Sequence, residues 1–166
     1  DISKKALTFA RLFCKDENNK IFFEDINNLN QSDFDFIVAT EVLEHIHEDE
    51  LQSALKDISG IIKNDGHFLV TVPSVVRQPM PKKHYRHYTL NLLEDHIRDF
   101  FVIEEVFYLN KKSFFSNLIR RFLHNKIFTL NTSYLNKFIT RIYKKYLFYG
   151  SEKNGLNIAL LLKKKI

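Results

Sequence analysis

The residues of this chain with the most chemical reach fall in two short stretches. Glu41, Glu44 and His45 follow an apolar run at a spacing of i, i+3, i+4, which on a helical turn places all three side chains on one face. Two carboxylates and an imidazole so arranged suit a divalent cation; the same groups equally serve as structural hydrogen-bonding partners at a helix start. His84 and His87 lie at i, i+3, flanked by Lys82, Lys83 and Arg86. With His45 they are the candidate general bases, because only histidine titrates near neutrality without perturbation. The His84–His87 cluster also suits an anionic substrate such as a phosphate or carboxylate, or is a solvated basic loop. His47 reads as solvated, and His67, His96 and His124 as structural.

These side chains need a frame to hold them. Residues Lys4 to Phe13 have helical spacing, with Ser3 placed as N-cap. Lys20 to Glu24 reads as a short strand ending at Asp25, and Phe34 to Ala39 as a buried strand, because its apolar run is too short for a helix. Leu51, Leu55, Ile58 and Ile62 mark an amphipathic helix that Asn64-Asp-Gly66 stops. A strand follows over His67 to Val72. Thr89 then caps a helix over Leu90 to Arg98, Phe101 to Tyr108 is extended, a basic helical stretch follows, and Leu156 to Leu162 is a last strand. Strands alternating with helices predict a mostly parallel sheet with helices on both faces, and ligands at the carboxyl ends of its strands. That rule points to Asp1, Asp25, Thr40 to His45, and Pro73 to Tyr88.

Composition narrows the setting. A length of 166 residues argues for a single domain over 1–166, and sixteen Phe and seven Tyr are enough to build a core. The lone Cys14 excludes an internal disulfide framework and favours a reducing compartment. No apolar run is long enough to span a membrane, and no signal-peptide pattern opens the chain. The expectation is a cytoplasmic globular protein. Its charge is uneven: 110–150 holds nine basic residues and no acidic ones, so partners and surfaces differ between this segment and the rest.

Phe34-Asp-Phe-Ile-Val-Ala-Thr-Glu-Val-Leu-Glu-His-Ile46, followed by Ile61 to Pro73 with its turn Ile62-Lys-Asn-Asp-Gly66, resembles the class I S-adenosylmethionine-dependent methyltransferases. The likeness is greatest to their small-molecule branch, which includes the ubiquinone-pathway O-methyltransferases. Asn64 and Asp65 stand where that family has Pro and Gly, a mild departure since both tolerate tight turns. His84-Tyr-Arg-His-Tyr-Thr89 is similar to the element that follows the family's fifth strand.

The resemblance implies an enzyme with a Rossmann-like three-layer α/β sandwich and S-adenosylmethionine as its cofactor. It implies that Asp1, with Ile2, ends the second strand and accepts hydrogen bonds from the ribose hydroxyls, a task suited to an acceptor-only carboxylate. Asp25 would accept from the adenine amino group, Ile26 would offer its backbone N–H and an apolar face, and Thr40 would lie along the methionine part. It also implies that Glu41, Glu44 and His45 match the pattern associated with a metal in the ubiquinone-pathway enzymes, where a cation lowers the pKa of a substrate hydroxyl.

The family's first strand and Gly-rich loop would lie just upstream of Asp1, and no Gly precedes Gly60. The expected fold is therefore N-terminally truncated, with S-adenosylmethionine bound weakly or not at all by these 166 residues alone. The expected acceptor is a small molecule, glycan or lipid-linked precursor. A second reading is a methyltransferase-fold module that binds or regulates without catalysis. No nucleic-acid motif is present. Residues 110–150 are expected as a basic, aromatic helical insertion before the last strand. Leu135, Phe138, Ile139, Ile142, Tyr143, Tyr146 and Leu147 form one apolar stripe there, which packs on the protein's own sheet, caps the substrate site, packs on a partner or meets an anionic inner-membrane surface.

Overall fold

A computed structural model describes residues 33–114 and 133–166 and, upstream of these, only the helical positions Lys5 and Thr8. The helix cap at Ser3, the strand at Lys20–Glu24 and the cofactor positions Asp1, Ile2, Asp25 and Ile26 lie outside the described residues. So does 115–132, which contains His124. In chain order the elements are β1 (Phe34–Thr40), α1 (Glu48–Ile61), β2 (Ile62–Pro73), α2 (Leu90–Ile97), β3 (Phe101–Lys111), α3 (Ser133–Ile142) and β4 (Gly155–Lys164). The four described strands form one sheet in the order β1-β2-β4-β3.

The period-2 alternation of the strands builds the core. Phe68, Val70 and Val72 of β2 and Ile158, Leu160 and Leu162 of β4 turn to one face, where Leu51 and Leu55 of α1 and Leu93 and Ile97 of α2 pack on them. Each such side chain removed from water contributes about 1.5–3 kcal/mol. Among the described residues, helices cover this face; Phe36, Val38 and Val102 on the other remain about half exposed. Thr89 caps α2 as expected, its hydroxyl accepting from the Leu92 N–H at 3.2 Å.

One expectation needs correction. Ile62 does not end the helix; it is the first residue of β2, opposite Phe34. The Asn64-Asp-Gly66 turn becomes an irregularity inside β2: Phe34 faces Ile62 but Phe36 faces His67, so three extra residues are accommodated on the β2 side. Glycine is required there, since a Cβ on Gly66 would lie 2.8 Å from the Phe34 carbonyl oxygen and 2.8 Å from Ile62 Cγ1.

The expected mostly parallel sheet has one strand that runs the other way. β1 and β2 are parallel, but β4 runs antiparallel to both β2 and β3. The described part of the chain before β4 returns to the end of β3. It is fastened there by Asn110 N–H to Phe148 O at 2.8 Å, Gly150 N–H to Tyr108 O at 2.7 Å and Lys112 N–H to Asn154 O at 2.7 Å. β4 therefore re-enters between β2 and β3 from the edge at which β3 stopped. Since β1, β2 and β3 share one direction, the loops after β1 and β2 emerge at that edge, where the chain also leaves β3 at Lys112 and returns through Phe148–Asn154.

Candidate active site

At this edge the chain leaves β1 through Glu41, whose backbone is left-handed (φ 55°) and whose N–H donates to Thr71 O at 2.9 Å. It then makes a single tight turn at Leu43–His45. The loop after β2 holds that turn. Tyr85 N–H donates to Glu44 O at 2.9 Å, and Arg86 Nη1 donates to Leu43 O at 3.1 Å. The loop is itself anchored by Tyr88 N–H to Pro73 O (2.9 Å) and Val75 N–H to Tyr88 O (3.0 Å).

Glu44, His45 and His84 meet here, each offering one ligand atom, all within 4.8 Å of one another. The Glu44 side chain is fully buried, and neither carboxylate oxygen has a hydrogen-bond partner among the described residues. Burial accordingly pushes its carboxyl above the usual range. His45 Nδ1 lies 3.2 Å from the Lys83 carbonyl. A carbonyl only accepts, so Nδ1 carries the proton and the lone pair of neutral His45 sits on Nε2, 3.9 Å from Glu44 Oε1. The His84 ring stands edge-on to His45 at 4.6 Å between centroids, and its Nδ1 is 3.1 Å from His87 Nε2. Burial lowers the pKa of His84, helped by repulsion from His45, His87 and Arg77; burial also lowers that of His87. Both shifts favour the neutral imidazole, the form that accepts a proton or ligates a metal.

Glu41 is not on a common helical face with Glu44 and His45. Its left-handed backbone turns the carboxylate aside, to Arg77 Nη1 at 2.6 Å and to Asn157 Nδ2. Asn157 Oδ1 accepts from Asn110 Nδ2 at 3.0 Å, and Asn110 Oδ1 accepts from the Tyr143 hydroxyl. A polar chain thus runs from the turn after β1 to the 143–147 turn that ends α3. Spacing alone did not disclose Asn110, Asn157 or Tyr143; a left-handed Asn110 (φ 59°) at the end of β3 is the nearest signal. The third potential ligand is His84, supplied by a loop 39 residues further on (84 − 45 = 39).

Arg86, grouped by sequence with an anion-binding cluster, is already engaged. Its Nη2 pairs with Glu48 Oε2 at 2.8 Å, while the other Glu48 oxygen meets His96 Nε2 at 3.3 Å. Arg86 thus fastens the loop to α1. His67 pairs with Glu104 at 3.0 Å and His47 with Asp49 at 3.2 Å; neither is among the clustered ligand atoms. Thr40 is exposed at the end of β1, which leaves it open to a ligand at the sheet edge. Of the expected site residues, the fold brings Glu44, His45, His84 and His87 together, leaves Thr40 nearby and turns Glu41 aside.

Comparison with known proteins bears on this geometry. Residues 1–70 match the methyltransferase domain family. The fold is that of a S-adenosylmethionine-dependent methyltransferase from Archaeoglobus fulgidus (13% identity, 99% of this chain and 74% of that one, TM-score 0.59). It is equally that of a S-adenosylmethionine-dependent methyltransferase from Mesorhizobium loti (14% identity, 98% of this chain and 77% of that one, TM-score 0.59). No curated protein sequence matches the chain. The family match supports a methyltransferase enzyme, and the class I Rossmann-like fold is the one that S-adenosylmethionine-dependent enzymes of this kind share.

Proposed function

We propose that the protein transfers a methyl group from S-adenosylmethionine to a weakly acidic group, a hydroxyl foremost, on a small-molecule, glycan or lipid-precursor acceptor. The observation that carries this reading is the gathering of Glu44, His45 and His84 at the carboxyl edge of β1 and β2, where ligands of open α/β sheets bind. S-adenosylmethionine, when bound, supplies an already activated methyl donor, so the protein has mainly to position the acceptor and take its proton. Asp1 and Ile2 would hold the ribose, Asp25 and Ile26 the adenine, and Thr40 the methionine part. Exposed Thr40 fits that role.

The proton goes to a neutral imidazole, with His84 as the base. Its Nδ1 faces His87 Nε2, which leaves Nε2 for the acceptor, and its lowered pKa keeps it unprotonated at neutral pH. A second reading is favoured by one observation: the buried Glu44 carboxylate has both oxygens unpartnered. Glu44, His45 Nε2 and His84 fit a divalent cation, which would lower the pKa of an acceptor hydroxyl.

Methyl transfer from labelled S-adenosylmethionine to a panel of hydroxylated acceptors tests the proposal. Expected is transfer that falls about 10²–10⁴-fold in kcat in His84→Ala with little change in cofactor affinity. Cofactor binding without transfer to any acceptor class, or an unaltered His84→Ala enzyme, would overturn it. Sensitivity to a chelator, restored by added divalent metal, selects the cation-assisted form.

A further inference from the structure

The basic insertion divides its aromatic residues between two faces in a way that its sequence stripe conceals. Leu135, Ile139, Ile142, Tyr143 and Leu147 of the 133–147 segment turn inward, half-buried or buried. Phe138 and Tyr146, which belong to the same stripe, instead face solvent at 60% and 58% exposure. They are joined by Tyr134 at 90%, and Lys137, Arg141, Lys144 and Lys145 are exposed as well. On a helix Tyr134, Phe138, Arg141 and Lys145 recur at i, i+4, i+7, i+11, with Lys137 and Lys144 beside them. The outer surface is thus a mixture of rings and cations without a carboxylate. Lys145 Nζ lies 5.1 Å from the Tyr146 ring centroid.

We propose that this face is a docking surface for an anionic lipid bilayer. Charge complementarity selects the occupant: four cations, unopposed by any acidic residue in 110–150, match the anionic headgroup layer. The rings match the layer beneath it, since Tyr presents an apolar body with a polar tip and Phe inserts more deeply. A site for a single phosphate would converge on one point, whereas these cations are spread along about two turns, from Lys137 to Lys145. The face lies on the connection that emerges at the same sheet edge as Glu44, His45 and His84. The Tyr143–Asn110–Asn157–Glu41 chain ties it to that edge. Docking there brings the candidate site to the membrane, where a lipid-linked acceptor resides. The docking itself does not depend on the methyl-transfer reading.

Co-sedimentation of the protein with phosphatidylcholine vesicles, with and without about a third phosphatidylserine, tests this at low and high salt. Expected is binding only to the anionic vesicles, weakened by salt because exposed charges are screened. Lys144→Gln with Lys145→Gln should weaken it roughly 30-fold at low salt, since each basic side chain at such a surface contributes about a factor of five. Tyr134→Ser with Phe138→Ser should weaken binding while leaving much of its salt sensitivity in place. These residues are exposed, so unchanged thermal melting is expected of both variants. Failure to bind anionic vesicles at low salt, equal binding to neutral vesicles, or indifference to both variants overturns the proposal. Tighter binding to duplex DNA than to vesicles, competing with them, also overturns it.

Discussion

Replacing Glu44 by Met should make the protein more stable while removing a residue from the candidate site. The carboxylate is fully buried with both oxygens unpartnered among the described residues, and His45 Nε2 at 3.9 Å is too far for a hydrogen bond. A buried polar group left unsatisfied costs about 1–3 kcal/mol. Methionine is similar in length, unbranched and free of that penalty. The substitution should therefore stabilise by about 1–3 kcal/mol, which for a chain of this size raises Tm by roughly 2–12 °C.

The pH dependence has a definite sign. The folded pKa of Glu44 is raised by burial, so the folded state retains its proton where the unfolded state has lost it. Wild-type stability then falls as pH rises from the ordinary carboxyl value through the folded one. The advantage of Glu44→Met should accordingly be smallest in acid and grow toward neutral pH. Thermal melting by circular dichroism between pH 4 and 8, without divalent ions, measures both effects. A variant that melts below wild type at pH 7, or an advantage that grows toward acid, would refute the reasoning. Stability lost to a residue with no structural partner is what a functional site leaves behind.

The lowered pKa values of His84 and His87 place the acid limb of kcat/KM below the ordinary histidine value, since the neutral base persists to lower pH; a pH–rate profile with that limb above the ordinary value would exclude His84 as the base. Gly66→Ala should destabilise by about 1–3 kcal/mol, because its Cβ would meet the Phe34 carbonyl at 2.8 Å, and a denaturant midpoint equal to wild type would show that β1 and β2 do not approach so closely.

The sequence by itself determined the periodic features. Amphipathic spacing disclosed α1 through Leu51 and Leu55, the Thr89 hydroxyl marked the start of α2, and short apolar runs marked all four described strands. These are local signals, set by which face of one element must leave water and by how its first N–H groups are satisfied. The motif order from Phe34 to Thr89 also carried the methyltransferase fold, because turns and strand ends that shape such a sheet need particular residues in a fixed succession.

Only the tertiary structure decided what meets at the sheet edge. Spacing grouped Glu41 with Glu44 and His45 as if on a continuous helix; a left-handed residue breaks that face, and His84 arrives from a distant loop instead. The antiparallel direction of β4 was equally invisible, since an apolar strand reads the same in either direction and backbone contacts between Tyr108–Lys112 and Phe148–Asn154 set its return. So was the division of one stripe into inward Leu135, Ile139 and Leu147 and outward Phe138 and Tyr146. A hydrophobic pattern records which residues can be buried, and the neighbours that the fold supplies decide which of them are.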